Sequence, residues 1–123
     1  MEEIQTIAVL SDNGRLAETL RLGFEDQGFS VIQMRGVERD VQILRAAKVN
    51  LLIIDLDTSV WEIGFVKEVK RVRPLLPIVL LSSFEENVTR FLFTQVKIEK
   101  TFVKPFDLDQ FSDAIRTILK AHA

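Results

Sequence analysis

The stretch Leu51-Leu52-Ile53-Ile54-Asp55-Leu56 decides the fold. Its four leading aliphatic residues leave no polar side chain to face solvent. A strand built from them must be covered on both faces, which is the habit of a parallel sheet enclosed by helices. The carboxylate of Asp55 arrives where that strand runs out.

The same pattern recurs on either side. Ile7 to Leu10 precedes Ser11-Asp12-Asn13, Ile78 to Leu81 precedes Ser82-Ser83, and two further apolar runs, Phe29 to Met34 and Phe102 with Val103, complete five strands. Helical spacing fills the intervals. Leu16, Leu20 and Phe24 mark a first helix, capped by Asp12 or Asn13 and closed by Gly28. Val41, Leu44 and Ala47 mark a second. Phe65 or Val66, Val69 and Val72 mark a third, which Pro74 stops. Val88, Phe91 and Leu92 mark a fourth, from about Glu85 to Gln95. Leu108, Phe111, Ile115, Ile118 and Leu119 form the stripe of a fifth, after Asp107. Five strand-then-helix units joined by right-handed crossovers make an α/β doubly wound sheet, with two helices on one face and three on the other.

Composition agrees with one globular unit. The 123 residues are 47% hydrophobic and 28% charged, too apolar for a disordered chain. Residues 1–123 read as a single domain with no linker or repeat. Sixteen basic against 18 acidic residues leave a net charge of -2, so no positive field exists to hold nucleic acid or anionic lipid. With no cysteine, and His122 as the one histidine, thiol chemistry, thiolate metal sites and Ser-His-Asp catalysis drop out. The acidic start Met1-Glu2-Glu3 is unlike a signal peptide and no apolar run reaches the ~20 residues of a membrane span, which reads as a cytoplasmic protein without a membrane partner.

In open parallel sheets the ligand crevice lies beyond the carboxyl ends of the strands. That rule selects Ser11, Asp12 and Asn13, then Asp55 and Asp57, then Ser82 and Ser83, and last Lys104. Carboxylates, a hydroxyl and an ammonium are the parts that hold a hard divalent cation beside a phosphoryl group. Asp55 is best placed to attack phosphorus. The bond from Lys104 to Pro105 is one that can turn cis and aim the lysine inward. A lone strand-end aspartate is often only a turn residue. Four such groups at one sheet edge are less easily dismissed.

These residues resemble the receiver domain of two-component response regulators (the CheY-like, flavodoxin-like fold), most specifically in Phe102-Val103-Lys104-Pro105-Phe106. The resemblance spans essentially the whole chain and implies strand order 2-1-3-4-5. It further implies that Asp55 is the phosphoacceptor, and that Asp12, Asp55 and the backbone carbonyl of Asp57 hold Mg2+. Ser82 would turn its hydroxyl toward the phosphate and Lys104 would pair with it. The implied partners are a histidine kinase or phosphotransfer protein, a downstream output domain or protein, and a second copy in a homodimer. The domain would assist its own phosphorylation without being a conventional enzyme.

Departures accompany the match. The family usually carries two adjacent acids after the first strand, whereas Ser11 stands in the first position, which weakens the expected metal site. Thr101 occupies the place of the family's switching aromatic, with Phe102 beside it and facing the other way. Ser59 replaces the proline of the acceptor loop, the loop glycine comes one residue late as Gly64, and Lys97-Ile98 replaces Gly-Ala before the last strand. Two other readings follow. The fold could persist as a pseudo-receiver, an interaction module without phosphorylation, with Ser11 as its main support. Alternatively, Asp55-Leu56-Asp57-Thr58-Ser59 approaches the nucleophile motif of haloacid-dehalogenase-like phosphatases. Nucleotide and flavin sites are excluded, since Ser11-Asp12-Asn13-Gly14 has one glycine and would set an acid against a phosphate. Phe93, beside Val96, and Trp61 are candidates for a partner surface, with a place in the core as the alternative for each.

Overall fold

The computed structural model describes residues 4–46, 48–57, 63–83, 94 and 96–122. Five strands run in parallel: β1 (Thr6–Leu10), β2 (Ser30–Met34), β3 (Leu51–Asp55), β4 (Ile78–Ser82) and β5 (Lys100–Val103). Their order is β2-β1-β3-β4-β5, as the resemblance implies. Among the described residues they are flanked by α1 (Gly14–Asp26), α2 (Glu38–Ala46), α3 (Ile63–Val72) and α4 (Leu108–Ala121). The expected fourth helix, with Val88, Phe91, Leu92 and Phe93, lies outside the described residues, as does Trp61. None of the described helices is long and apolar enough to cross a membrane.

Strand alternation sorts the core into two layers. Ile7, Val9, Leu51, Ile53, Val79 and Leu81 face α1 and α4, where they meet Leu20, Phe24, Phe111 and Ile115. Ala8, Leu10, Leu52, Ile54, Ile78 and Leu80 face α2 and α3, where they meet Leu44, Phe65, Val66 and Val69. All ten residues of β3 and β4 are buried, so the unbroken aliphatic runs are explained by cover on both faces.

Local chemistry sets the element ends. Asn13 caps α1, its side chain accepting the Leu16 N–H at 3.1 Å. Gly28 follows that helix at a φ of 94°, a left-handed geometry that a residue with a Cβ resists. Asp40, in the first turn of α2, accepts the N–H groups of Arg35, Gly36 and Val37 on one buried oxygen, which shapes the turn after β2. The guanidinium of Arg73 donates to the carbonyls of Leu44 and Val49, tying the end of α3 to the connection that enters β3.

Three expectations about single residues need correction. Leu108 is 40% exposed, because it opens α4 ahead of the turn that reaches the sheet, and the buried stripe begins at Phe111. Val96, expected beside an exposed Phe93, is buried in the α2/α3 layer. Gly64, assigned to the loop after Asp55, sits in the first turn of α3.

The packing that matters most for the site surrounds Phe111. Phe102, the second-last residue of β5, meets its ring edge-on at 4.8 Å, and Phe106 lies 4.9 Å from it. These two phenylalanines bracket Lys104 and Pro105, whose shared peptide bond is cis. Phe111 is therefore the anchor against which the lysine loop is set. Phe111→Ala should destabilise the fold by about 3–5 kcal/mol. Urea unfolding is the check, with the midpoint falling at unchanged denaturant slope.

Candidate functional site

The alternation that builds the core also aims the site. Ser11 continues the series Ile7, Val9; Asp55 continues Leu51, Ile53; Ser83 continues Val79, Leu81; Lys104 continues Phe102. Each belongs to the α1/α4 side of the sheet, one step beyond or at the carboxyl end of its strand. Register brings the ends level, with Leu10 opposite Ile54, Asp55 opposite Leu81, and Ser82 opposite Val103. Side chains far apart in sequence thus converge on one crevice.

Asp55 lies at its centre, 1% exposed. A carboxylate so buried is costly unless both oxygens find donors. Its Oδ1 accepts from the Lys104 ammonium at 2.9 Å and from the Asp57 N–H at 3.0 Å. Its Oδ2 accepts from the Ser11 hydroxyl, also at 3.0 Å. Ser11 is itself fixed, since its Oγ accepts the Asn13 N–H at 3.0 Å and its carbonyl accepts from the Gln33 side chain at 3.1 Å. The ends of β1, β3 and β5 are joined through one acid.

Asp57 forms a second centre. Its Oδ2 accepts from the Ser83 hydroxyl at 2.7 Å and lies 3.1 Å from the Lys104 ammonium, while its Oδ1 accepts the Ser83 N–H at 3.2 Å. Burial works to raise the Asp57 carboxyl, but the hydroxyl and N–H of Ser83 and the Lys104 charge outweigh it and hold the group below the usual aspartate range. Desolvation likewise works to lower Lys104, and is outweighed by Asp55 and then Asp57, which keep the ammonium charged to higher pH than a free lysine.

The remaining expected residues are more peripheral. Ser82 is fully buried at the end of β4, where its carbonyl accepts the Lys104 N–H at 2.8 Å. Asp12 is exposed, at the start of the connection from β1 to α1. Thr58 and Ser59 lie outside the described residues. Two pairings went beyond the sequence reading: the Ser11 hydroxyl as a direct partner of Asp55, and the side chains of Asp57 and Ser83 as partners of each other. Strand parity was the available signal, because it aligns Ser11 and Ser83 with Asp55 and Lys104.

For a divalent cation the donors are of the right chemical kind, hard oxygens from carboxylates and a backbone carbonyl. Among the described residues, however, no three acidic, histidine or cysteine side chains converge as a metal cluster. The neutral Ser11 sits where another acid would add charge. The donor set is chemically suited to a hard divalent cation and carries little charge to hold one.

Comparison with known proteins supplies the context. The family model described as "Response regulator receiver domain" matches residues 7–116. The transcriptional regulatory protein CreB of Escherichia coli is 25% identical over 94% of the chain and 51% of its own length. The chain spans about half the length of the curated relatives it matches. A CheY-like response regulator receiver domain protein from Methanospirillum hungatei superposes with a TM-score of 0.86 at 12% identity, covering 98% of this chain and 97% of its own. A response regulator protein from Burkholderia pseudomallei, whose crystal structure is described as holding a phosphorylated aspartic acid, a calcium ion and citrate, has a TM-score of 0.78 at 19% identity, with 95% of this chain and 69% of that one covered.

The Asp57 contacts carry a pH signature. Because its carboxyl is lowered in the fold, its contribution to stability is present above the ordinary aspartate value of about 4 and is lost as pH falls through the folded value. The unfolding free energy of wild type should exceed that of Asp57→Asn near neutral pH. The gap should narrow as acid is added below about pH 4, measured by denaturant unfolding across the range.

Proposed function

The chain belongs to the response regulator receiver domain family, the signalling modules of two-component systems, and from that premise we propose that Asp55 accepts a phosphoryl group from a histidine kinase or phosphotransfer protein. The observation that carries this reading is the buried Asp55 carboxylate held by the Lys104 ammonium at the carboxyl edge of the sheet. The phosphorylated aspartic acid described for the Burkholderia protein of the same fold supports it.

In the proposed step an Asp55 oxygen attacks phosphorus as the phosphorus–nitrogen bond of a phosphohistidine breaks. The bond pair stays with the ring nitrogen, and a proton on the second ring nitrogen lets the imidazole leave neutral. Lys104 neutralises charge that gathers on the transferring group, and it is already in place, so little reorganisation is needed. Ser82, at the end of β4, would turn its hydroxyl to a phosphoryl oxygen. Asp12, Asp55 and the Asp57 backbone carbonyl would hold Mg2+, which when bound would supply further charge neutralisation to the transferring group. Ser11 makes that binding weak.

Receiver domains are signalling modules rather than conventional enzymes, and the output follows from the added charge. We place the change in the segment after β4, read by a downstream output domain or protein or by a second copy in a homodimer, in the cytoplasm. The greater length of CreB supports an output carried outside the region compared. The dehalogenase-like reading loses its ground to a family match that covers residues 7–116. The interaction-module reading keeps one specific observation, the Ser11 hydroxyl on Asp55 Oδ2, which satisfies the carboxylate without a cation.

Incubation with magnesium and a small phosphodonor, followed by intact mass measurement, separates the two. Wild type should gain a single phosphoryl group and Asp55→Asn none; a folded wild type that gains nothing would establish the interaction module instead. Ser11→Asp should tighten magnesium binding by on the order of tenfold in calorimetric titration, the scale of one added carboxylate near a cation in a water-facing site.

A further inference from the structure

Two anions in this crevice compete for one set of donors. Asp57 takes the Ser83 hydroxyl at 2.7 Å, the Ser83 N–H at 3.2 Å and a share of the Lys104 ammonium at 3.1 Å. Those donors come from the ends of β4 and β5 and surround both oxygens of a single carboxylate. The Asp57 N–H meanwhile donates to Asp55 Oδ1, so the two acids are strapped side by side. A phosphoryl group built on Asp55 would bring three oxygens and additional negative charge to the place where Asp57 is held. Lys104, which touches both carboxylates, is the cation such a group would draw upon.

We propose that the Asp57 carboxylate is a built-in occupant of an oxyanion site formed by Ser83 and Lys104, and that the phosphoryl group on Asp55 must displace it. The inference rests on Asp55 being the acceptor. Displacement is feasible because Asp57 stands at the solvent edge of the site, so its carboxylate has water to move into. Repulsion from the modified Asp55 pushes in the same direction. The exchange frees the Ser83 hydroxyl and N–H from Asp57, which ties the modification to the start of the segment after β4. It also sets a resistance: every anion entering the site competes with a carboxylate tethered two residues from Asp55.

The oxyanion site can be tested apart from phosphoryl transfer. In an Asp55→Asn background, with chelator present to exclude metal, inorganic phosphate is titrated while the Ser83 amide is followed by NMR. Adding Asp57→Ala should shift that amide on titration and tighten phosphate binding by about tenfold or more relative to Asp55→Asn alone. Equal affinity in the two folded proteins overturns the inference, even where wild type takes up a phosphoryl group. Should the alanine variant fail to fold, Asp57→Asn keeps the shape and removes the charge, and the same comparison decides. With Asp55 intact, Asp57→Ala should also take up a phosphoryl group from a small donor several-fold faster than wild type. If neither protein is phosphorylated while the phosphate titration shows the expected gain, the acceptor reading fails and the oxyanion site stands.

Discussion

A carboxylate buried at the end of a central strand is the constraint around which this molecule is arranged. Asp55 has almost no contact with water, and an ionised acid in that position is tolerable only if donors reach both of its oxygens. Among the described residues its donors include the Ser11 hydroxyl after β1, the Asp57 N–H after β3 itself, and the Lys104 ammonium after β5. Since β4 lies between β3 and β5, Lys104 must reach past a neighbouring strand. The aromatic contacts of Phe102 and Phe106 with Phe111 hold the lysine loop in position to do so. The hydrophobic layer under α4 and the polar site above it are thus one mechanical unit.

Much of this was legible in the sequence, and the reason is periodicity. Unbroken aliphatic runs in β3 and β4 require two covered faces, and the residues just past such runs fall at the ligand-binding edge of the sheet. That reasoning selected Asp55, Asp57, Ser83 and Lys104 for this edge, and the fold brings those four side chains together there. What it did not find were hydrogen bonds between side chains that sequence spacing alone cannot pair. Ser11 was read as a missing charge, while in the fold it is a donor to the central acid. Ser83 stood beside Ser82 among the selected residues, and strand parity sets Ser83 on the side of Asp55. Leu108 was placed in a buried stripe because helical spacing cannot tell the first turn of a helix from the turns that reach the sheet.

Ser11 illustrates how one substitution changes the character of a site. An acid there would add charge for a cation and would need its own partner. A hydroxyl instead donates to Asp55 and accepts from the Asn13 N–H, linking the central acid to the start of the β1–α1 connection. The buried acid thereby gains a neutral donor at a position where a second acid would repel it.

The same logic bears on how large a change modification can produce. In a site with unsatisfied donors, a new phosphoryl group adds interactions where there were none. Here Ser83 and Lys104 already serve an anion, so the proposed modification would replace one set of charge-assisted bonds with another, and only the difference between the two would drive rearrangement. A ligand shifts an equilibrium by its differential affinity for the two states and by nothing else. On the proposed reading, Asp57 would set the ground-state reference against which a phosphoryl signal is measured, and its solvent-edge position would decide how readily that reference gives way.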